Sequence, residues 1–328
     1  MTSPSQLGMI YLIAGIGLLV LVPTVIFVFF RFFKRSPQWY YNRSLDYYSA
    51  GDSEKAIQAL EKALEMDAEF INAYYNLGLI YQQEEQPTVA KEYFEKVLEL
   101  RPDDLDARYN LALLYYEAGE YDKAESLLQA TITDNPEDGD CYYTLGLVYE
   151  AQQEKERAAE AYVKAVEYDP SNVNAFLFLG KLQDQMLQLD EAIVSYKKAL
   201  ELDPNNLEAN YDLSISLAKK GDWDGTIDYS RKAIDIDANY AKAYNQLGLA
   251  FYCKEQMEDA IEHYQKAIEI DPTYANAYNN LGYAYQKVSR YDDAIRMFES
   301  YLERSTDPEE ATEIREHIEL LKKKLLEN

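Results

Sequence analysis

A 34-residue pattern, repeated in register from Pro37 to Pro308, constrains this chain more than any other feature of its sequence. The stretch 241–274 shows it most fully. Tyr244, Leu247, Gly248 and Phe251 fall at i, i+3, i+4 and i+7, so they share one face of a first helix. Ala260, Tyr264 and Ala267 share one face of a second, and Asp271-Pro272 ends it, because proline cannot continue the hydrogen-bond ladder. Each unit is therefore a helix-turn-helix hairpin. Gly248 and Ala260 are small enough for close packing, with Tyr264 filling the adjoining space.

Shifts by 34 residues carry the landmarks onto Tyr74, Leu77, Gly78, Tyr81, Ala90, Phe94 and Pro102, and onto Tyr142, Leu145, Gly146, Tyr149, Ala158, Tyr162 and Pro170. A further set is Phe176, Leu179, Gly180, Ala192, Tyr196 and Pro204, with Gln183 departing from the pattern. This set resembles the tetratricopeptide repeat, whose W-x2-L-G-x2-Y…A-x3-F…P pattern has the same period. The resemblance implies an all-α fold, a right-handed α-α superhelix of stacked hairpins. The register divides the chain into eight repeats, 37–70, 71–104, 105–138, 139–172, 173–206, 207–240, 241–274 and 275–308, followed by a capping helix at 309–328. A repeat array forms one elongated domain whose core grows by stacking.

Two repeats depart most from the pattern. The first has Arg43 and Ser44 in place of Leu and Gly, as terminal repeats often do. The sixth has Asn210, Ser214, Thr226, Ser230 and Ala238 in place of the large aromatic, Gly, Ala, second aromatic and Pro. The superhelix is expected to bend or to open first there, unless Trp223 repacks the gap. In the cap, Ile314, Ile318, Leu321 and Leu325 share one face and cover the last apolar surface of the stack.

Residues 9–30 carry no charge, enough helix to cross a bilayer core, and 9–33 reads as a single transmembrane anchor after a short tail, 1–8. No basic stretch precedes this run and no small-residue cleavage site follows it, which argues against a removable signal. Arg31, Lys34 and Arg35 lie on its carboxyl side, so the amino terminus is expected to face out and the repeats to occupy the cytoplasm or an equivalent space such as the stroma. Ser36-Pro37 reads as N-cap and first helical residue, which leaves only a short linker between bilayer and repeats.

The formal charge is −26, and the first 36 residues contribute three bases and no acid, so the repeats and cap are strongly acidic. Nucleic acid is a poor partner for such a surface. Cys141 and Cys253 sit in different repeats, and the only histidines are His263 and His317, so neither a disulfide nor a zinc site is expected. The anchor, repeats and cap use the whole chain, and no phosphate-binding loop, nucleophile elbow or zinc-protease motif occurs. The chain reads as a non-enzyme without cofactor or metal.

In the family resembled, positions 2, 5, 9 and 12 of each first helix line a concave groove. Here Tyr75, Tyr109, Tyr143 and Tyr211 form one column and Leu79, Leu113 and Leu147 a second. Asn72, Asn174 and Asn276 fall at position 2, Asn245 and Asn279 at position 5, and Asn76, Asn110 and Asn280 at position 6. The last three resemble the asparagine ladder of the repeats in O-linked N-acetylglucosamine transferase. Flat amphipathic rings beside amides suit an extended or helical segment of a partner protein. A chaperone-type acidic tail is not expected, because position 5 is Tyr, Leu or Asn throughout, while Asp106 and Asp140 stand where lysines would be needed. The architecture is similar to membrane-anchored repeat families that regulate envelope or lipopolysaccharide assembly, assist photosystem assembly, or receive mitochondrial imports. Recruitment of partner proteins at a membrane is the expected function. Self-association into a scaffold, or service as regulatory subunit of a separate membrane enzyme, are the alternatives.

Overall fold

The computed structural model describes residues 36–327. The expected tail and anchor, 1–8 and 9–33, lie outside them. Among the described residues no helix is long and apolar enough to cross a membrane.

Those residues form seventeen α-helices and no strand. The helices pair as the 34-residue register requires, and their contacts divide the chain after Pro136 into two compact units. The sequence alone suggests one uninterrupted stack. The first unit holds three hairpins, beginning with Pro37–Ser49 and Ser53–Met66 and ending with Leu105–Glu117 and Tyr121–Asp134. The second holds five, from Gly139–Ala151 and Lys155–Tyr168 to Ala275–Lys287 and Tyr291–Leu302, followed by Pro308–Glu327.

Each hairpin turns through one residue with left-handed backbone, always the fifteenth of its repeat. Glycine supplies it at Gly51, Gly119 and Gly221, whereas Glu85, Gln153, Leu187, Glu255 and Ser289 adopt it with a side chain, at φ between 55° and 64°. The latter choice costs energy, since a Cβ crowds the following carbonyl there. Asp104, Asp138, Asn172 and Asn206 end their repeats and cap the next helix, accepting from the backbone N–H three residues on.

The landmark glycines make room for a ring rather than for a second backbone. A Cβ on Gly78, Gly180, Gly248 or Gly282 would come within 2.7 Å of the ring of Phe94, Tyr196, Tyr264 or Phe298. Where that ring is replaced by Leu60, Leu128 or Ser230, the glycine is replaced by Ser44, Ala112 or Ser214, and all six are buried. Side-chain volume is thus exchanged between the two helices of a hairpin, as dense packing demands.

Ile314, Ile318 and Leu321 of the last helix are buried and Leu325 partly so, in a cluster with Leu281, Tyr285 and Phe298. Trp223 packs on this same cluster, beside Ile227, Leu247 and Phe251. It therefore serves the packing of repeat seven, and it is not among the residues lining the depression that opens beside Asn210 in repeat six.

Candidate functional site

Within each unit, first helices of neighbouring repeats touch on the face that carries the predicted columns. In the first unit, Asn110 Nδ2 donates to the Tyr75 hydroxyl at 3.2 Å and to the Asp106 carbonyl at 2.8 Å. The Tyr75 ring meets Phe94 edge-on at 5.7 Å, and burial, with Asp106 nearby, pushes its hydroxyl pKa up. Tyr109, Asn76, Leu79 and Leu113 are half-buried on this face, and Asn72 is exposed. Leu79 and Asn76 also border a small depression of about 100 Å³, whose other walls are Ser44, Leu45, Tyr48, Leu60 and Ile80. It accompanies the smaller residues of the first repeat.

In the second unit Tyr143 lies 6.0 Å from the rings of both Tyr162 and Phe178, and Leu147 is half-buried. Tyr211 meets Tyr240 edge-on at 5.2 Å, and burial raises both hydroxyls, that of Tyr240 to about 12. Asn174 and Asn276 are exposed.

The amides are less open than the sequence suggests. Asn245 is only 7% exposed, accepts from Asn280 Nδ2 at 2.9 Å and donates to the Tyr274 hydroxyl at 3.4 Å. Asn245 and Asn280 therefore tie repeats seven and eight together. Asn279 donates to Glu310 of the last helix at 3.1 Å, while its Oδ1 is buried and accepts no hydrogen bond among the described residues.

Asp212, absent from the predicted columns, sits at position 6 of repeat six. Its Oδ2 is buried without a donor among the described residues, and the nearest cation, Lys181 Nζ, stands 4.0 Å away and holds Glu208 at 2.5 Å. Burial raises the Asp212 carboxyl to about 6, Lys181 and Lys242 opposing the shift while Glu208 and Asp184 add to it. A signal for it existed in the sequence. Position 6 is Asn42, Asn76, Asn110, Thr144, Phe178, Gln246 or Asn280 elsewhere, so Asp212 is its one charged occupant.

Repeat four adds negative charge. The Asp140 carboxyl is raised by burial and by the nearby Asp138 and Asp169. Cys141 and Cys253 are free thiols, both pushed up by burial, and no group of three His, Cys, Asp or Glu that could hold a metal occurs among the described residues.

Family models agree with the register. A TPR repeat model matches 45–84, 188–221 and 250–289, and three tetratricopeptide repeat models match 81–148, 139–172 and 277–312. The chain belongs to the tetratricopeptide-repeat family.

Among solved structures it is similar to YrrB, described as a TPR protein with an unusual peptide-binding site, at 26% identity and a TM-score of 0.54, over 57% of this chain and 96% of that one. PilF of Pseudomonas aeruginosa matches at 22% identity and a TM-score of 0.56, over 63% of this chain and 94% of that one, a likeness of fold. A MamA structure matches at 33% identity and a TM-score of 0.47, over 49% and 94%. No curated protein sequence matches the chain.

Proposed function

We propose that this chain is a membrane-anchored scaffold whose first-helix faces hold segments of partner proteins and recruit them to the bilayer. The observation that carries the reading is on the face of the second unit, where two buried acceptors, Asp212 Oδ2 and Asn279 Oδ1, have no donor among the described residues. A buried acceptor left unpaired is costly, and both are closed to solvent, so a polypeptide settling on this face satisfies them as the neighbouring side chains yield to its N–H groups. The partly exposed rings of Tyr143 and Tyr211 supply flat contact area beside these acceptors. In the first unit the depression beside Leu79 suits one apolar side chain. The carboxylates at Asp140, Asp138 and Asp212 favour a segment with basic or amide side chains and disfavour an acidic chaperone tail. The likeness to YrrB, a protein described by its peptide-binding site, supports a peptide ligand.

The anchor rests on the charge-free run 9–30, and the basic residues that follow it favour repeats on the cytoplasmic or stromal side. Two experiments test the two halves separately. Carbonate extraction of membranes should leave the full chain in the pellet; release by salt alone refutes the anchor. Crosslinking in intact membranes should lose its protein adducts when Tyr75, Tyr109 and Tyr143 are replaced by alanine, in a variant that circular dichroism shows still folded. Adducts that persist in the folded triple variant refute the first-helix face as the binding surface.

A further inference from the structure

The fourth residue of each repeat is large except in repeat six, where Asn210 stands beside an open depression. The residues at this position are Tyr40, Tyr74, Arg108, Tyr142, Phe176, Asn210, Tyr244 and Tyr278. In repeat eight the Tyr278 hydroxyl donates to the Pro272 carbonyl at 3.1 Å, and the Arg304 guanidinium lies 4.4 Å from the centre of its ring. In repeat three Arg108 reaches the corresponding Pro102 carbonyl, through Nε at 2.9 Å and Nη2 at 2.6 Å. Asn210 makes the same bond, Nδ2 to the Pro204 carbonyl at 3.1 Å, with a side chain that has no ring.

The space a ring would take is an open depression of about 410 Å³, walled by Leu200, Pro204, Asn210 and Tyr229 and rimmed by Lys197, Lys232 and Glu201, the last paired with Lys198. Asn210 is 1% exposed, and its Oδ1 accepts no hydrogen bond among the described residues. Lys232 lies 4.2 Å from the centre of the Tyr229 ring. Its counterparts divide: Lys96, Lys198 and Lys266 each pair with a glutamate three residues on, whereas Lys164 lies 5.5 Å from the centre of the Tyr142 ring, and neither Lys232 nor Lys197 joins an ion pair among the described residues. A second depression shares Pro204 and Lys232 with it and is bordered by Asn205, Asp235 and Ile236.

We propose that this depression receives a tyrosine side chain presented by a segment of a partner protein, at a site separate from the first-helix face. The ring takes the place that Tyr278 and its counterparts fill elsewhere, and its hydroxyl supplies the donor that Asn210 Oδ1 lacks. Lys232 turns from Tyr229 to cover the incoming ring, as Arg304 covers Tyr278. The unpaired lysine stems are the side chains that yield to let the hydroxyl reach the shielded acceptor.

The test uses the full chain with N-acetyl-tyrosinamide and N-acetyl-phenylalaninamide as probes, read by saturation-transfer NMR. The tyrosine amide should bind about five- to tenfold more tightly than the phenylalanine amide, the share of one neutral hydrogen bond. Asn210→Ala should erase that preference. Asn210→Tyr should weaken the tyrosine amide at least about tenfold, because the place is then filled from within. Lys232→Glu is an exposed change that leaves the core intact, and it should weaken both probes. Equal binding of the two probes by the wild-type chain, or tyrosine-amide binding unchanged by Lys232→Glu or by a folded Asn210→Tyr chain, overturns the proposal.

Discussion

Repeats six and seven are consecutive hairpins of one unit, with helices of the same lengths and the same turn, yet they fill their interiors by different means. In repeat seven the Tyr264 ring lies against Gly248, and both are buried with Ala260. In repeat six the corresponding residues are Ser230, Ser214 and Thr226, and the interior is held by hydroxyls. Ser214 Oγ donates to the Tyr211 carbonyl at 2.6 Å and Thr226 Oγ1 to the Asp222 carbonyl at 2.8 Å, while Ser230 Oγ has no partner among the described residues. The same backbone hairpin therefore tolerates either a ring in a glycine notch or a set of small polar groups. The ring excludes more water and gains more dispersion contact, so it should hold its hairpin more firmly.

The largest effect should come from the ring. Tyr264→Ala should cost about 3–5 kcal/mol in chemical denaturation, the range for deleting a buried aromatic, whereas Ser230→Ala should be neutral or stabilise by about 1 kcal/mol, because it removes an orphaned hydroxyl. A cost for Ser230→Ala close to that of Tyr264→Ala would erase the distinction. Next in size is the notch. Gly248→Ser, which copies Ser214 into repeat seven, should cost roughly 1–3 kcal/mol by forcing the Tyr264 ring aside.

Asp212 sharpens the contrast through pH. Its folded carboxyl titrates near 6 against a reference of 3.8, so the native state holds a proton that the unfolded chain has already lost. Stability should fall as pH rises from about 4 to about 6 and stay lower above that. Asp212→Asn, which installs the residue of Asn280, should remove this loss and stabilise the chain at pH 7 by on the order of 2 kcal/mol, with no gain at pH 4. Equal gains at both pH values would show that the carboxyl is not the cause.

The smallest expected effect lies at the turns. Glu255→Gly in repeat seven should stabilise by roughly 0.5–1 kcal/mol by relieving its left-handed backbone, and Gly221→Ala in repeat six should cost about as much.

Much of this architecture is legible in the sequence, because one period sets helix lengths, turn positions and buried faces together. Gly248, Tyr264 and Pro272 announce the hairpin, and Ile314, Ile318 and Leu321 announce the cap. The reason for the glycines is less legible, since small residues equally suit two close backbones or one inserted ring, and it is the Tyr264 ring that fills the notch at Gly248. Spacing gives the column containing Tyr75 and Tyr109 but says nothing of hydrogen bonding, so the amide of Asn245 reads as open although it is bound to Asn280 and Tyr274. Asp212 is visible as the odd charge at its position, and its significance lies in burial. The division after Pro136 leaves no mark in the repeat pattern, which runs through it unbroken.

Native-state hydrogen exchange on the full chain tests the central contrast most directly, because it reads the opening of each hairpin separately. The buried second-helix amides of repeat six, such as Ala233, should exchange at least about tenfold faster than the matching Ala267 of repeat seven, as a difference of about 1.4 kcal/mol or more in opening free energy requires. Equal protection of Ala233 and Ala267 would contradict the account, because polar filling would then hold a hairpin as firmly as a ring.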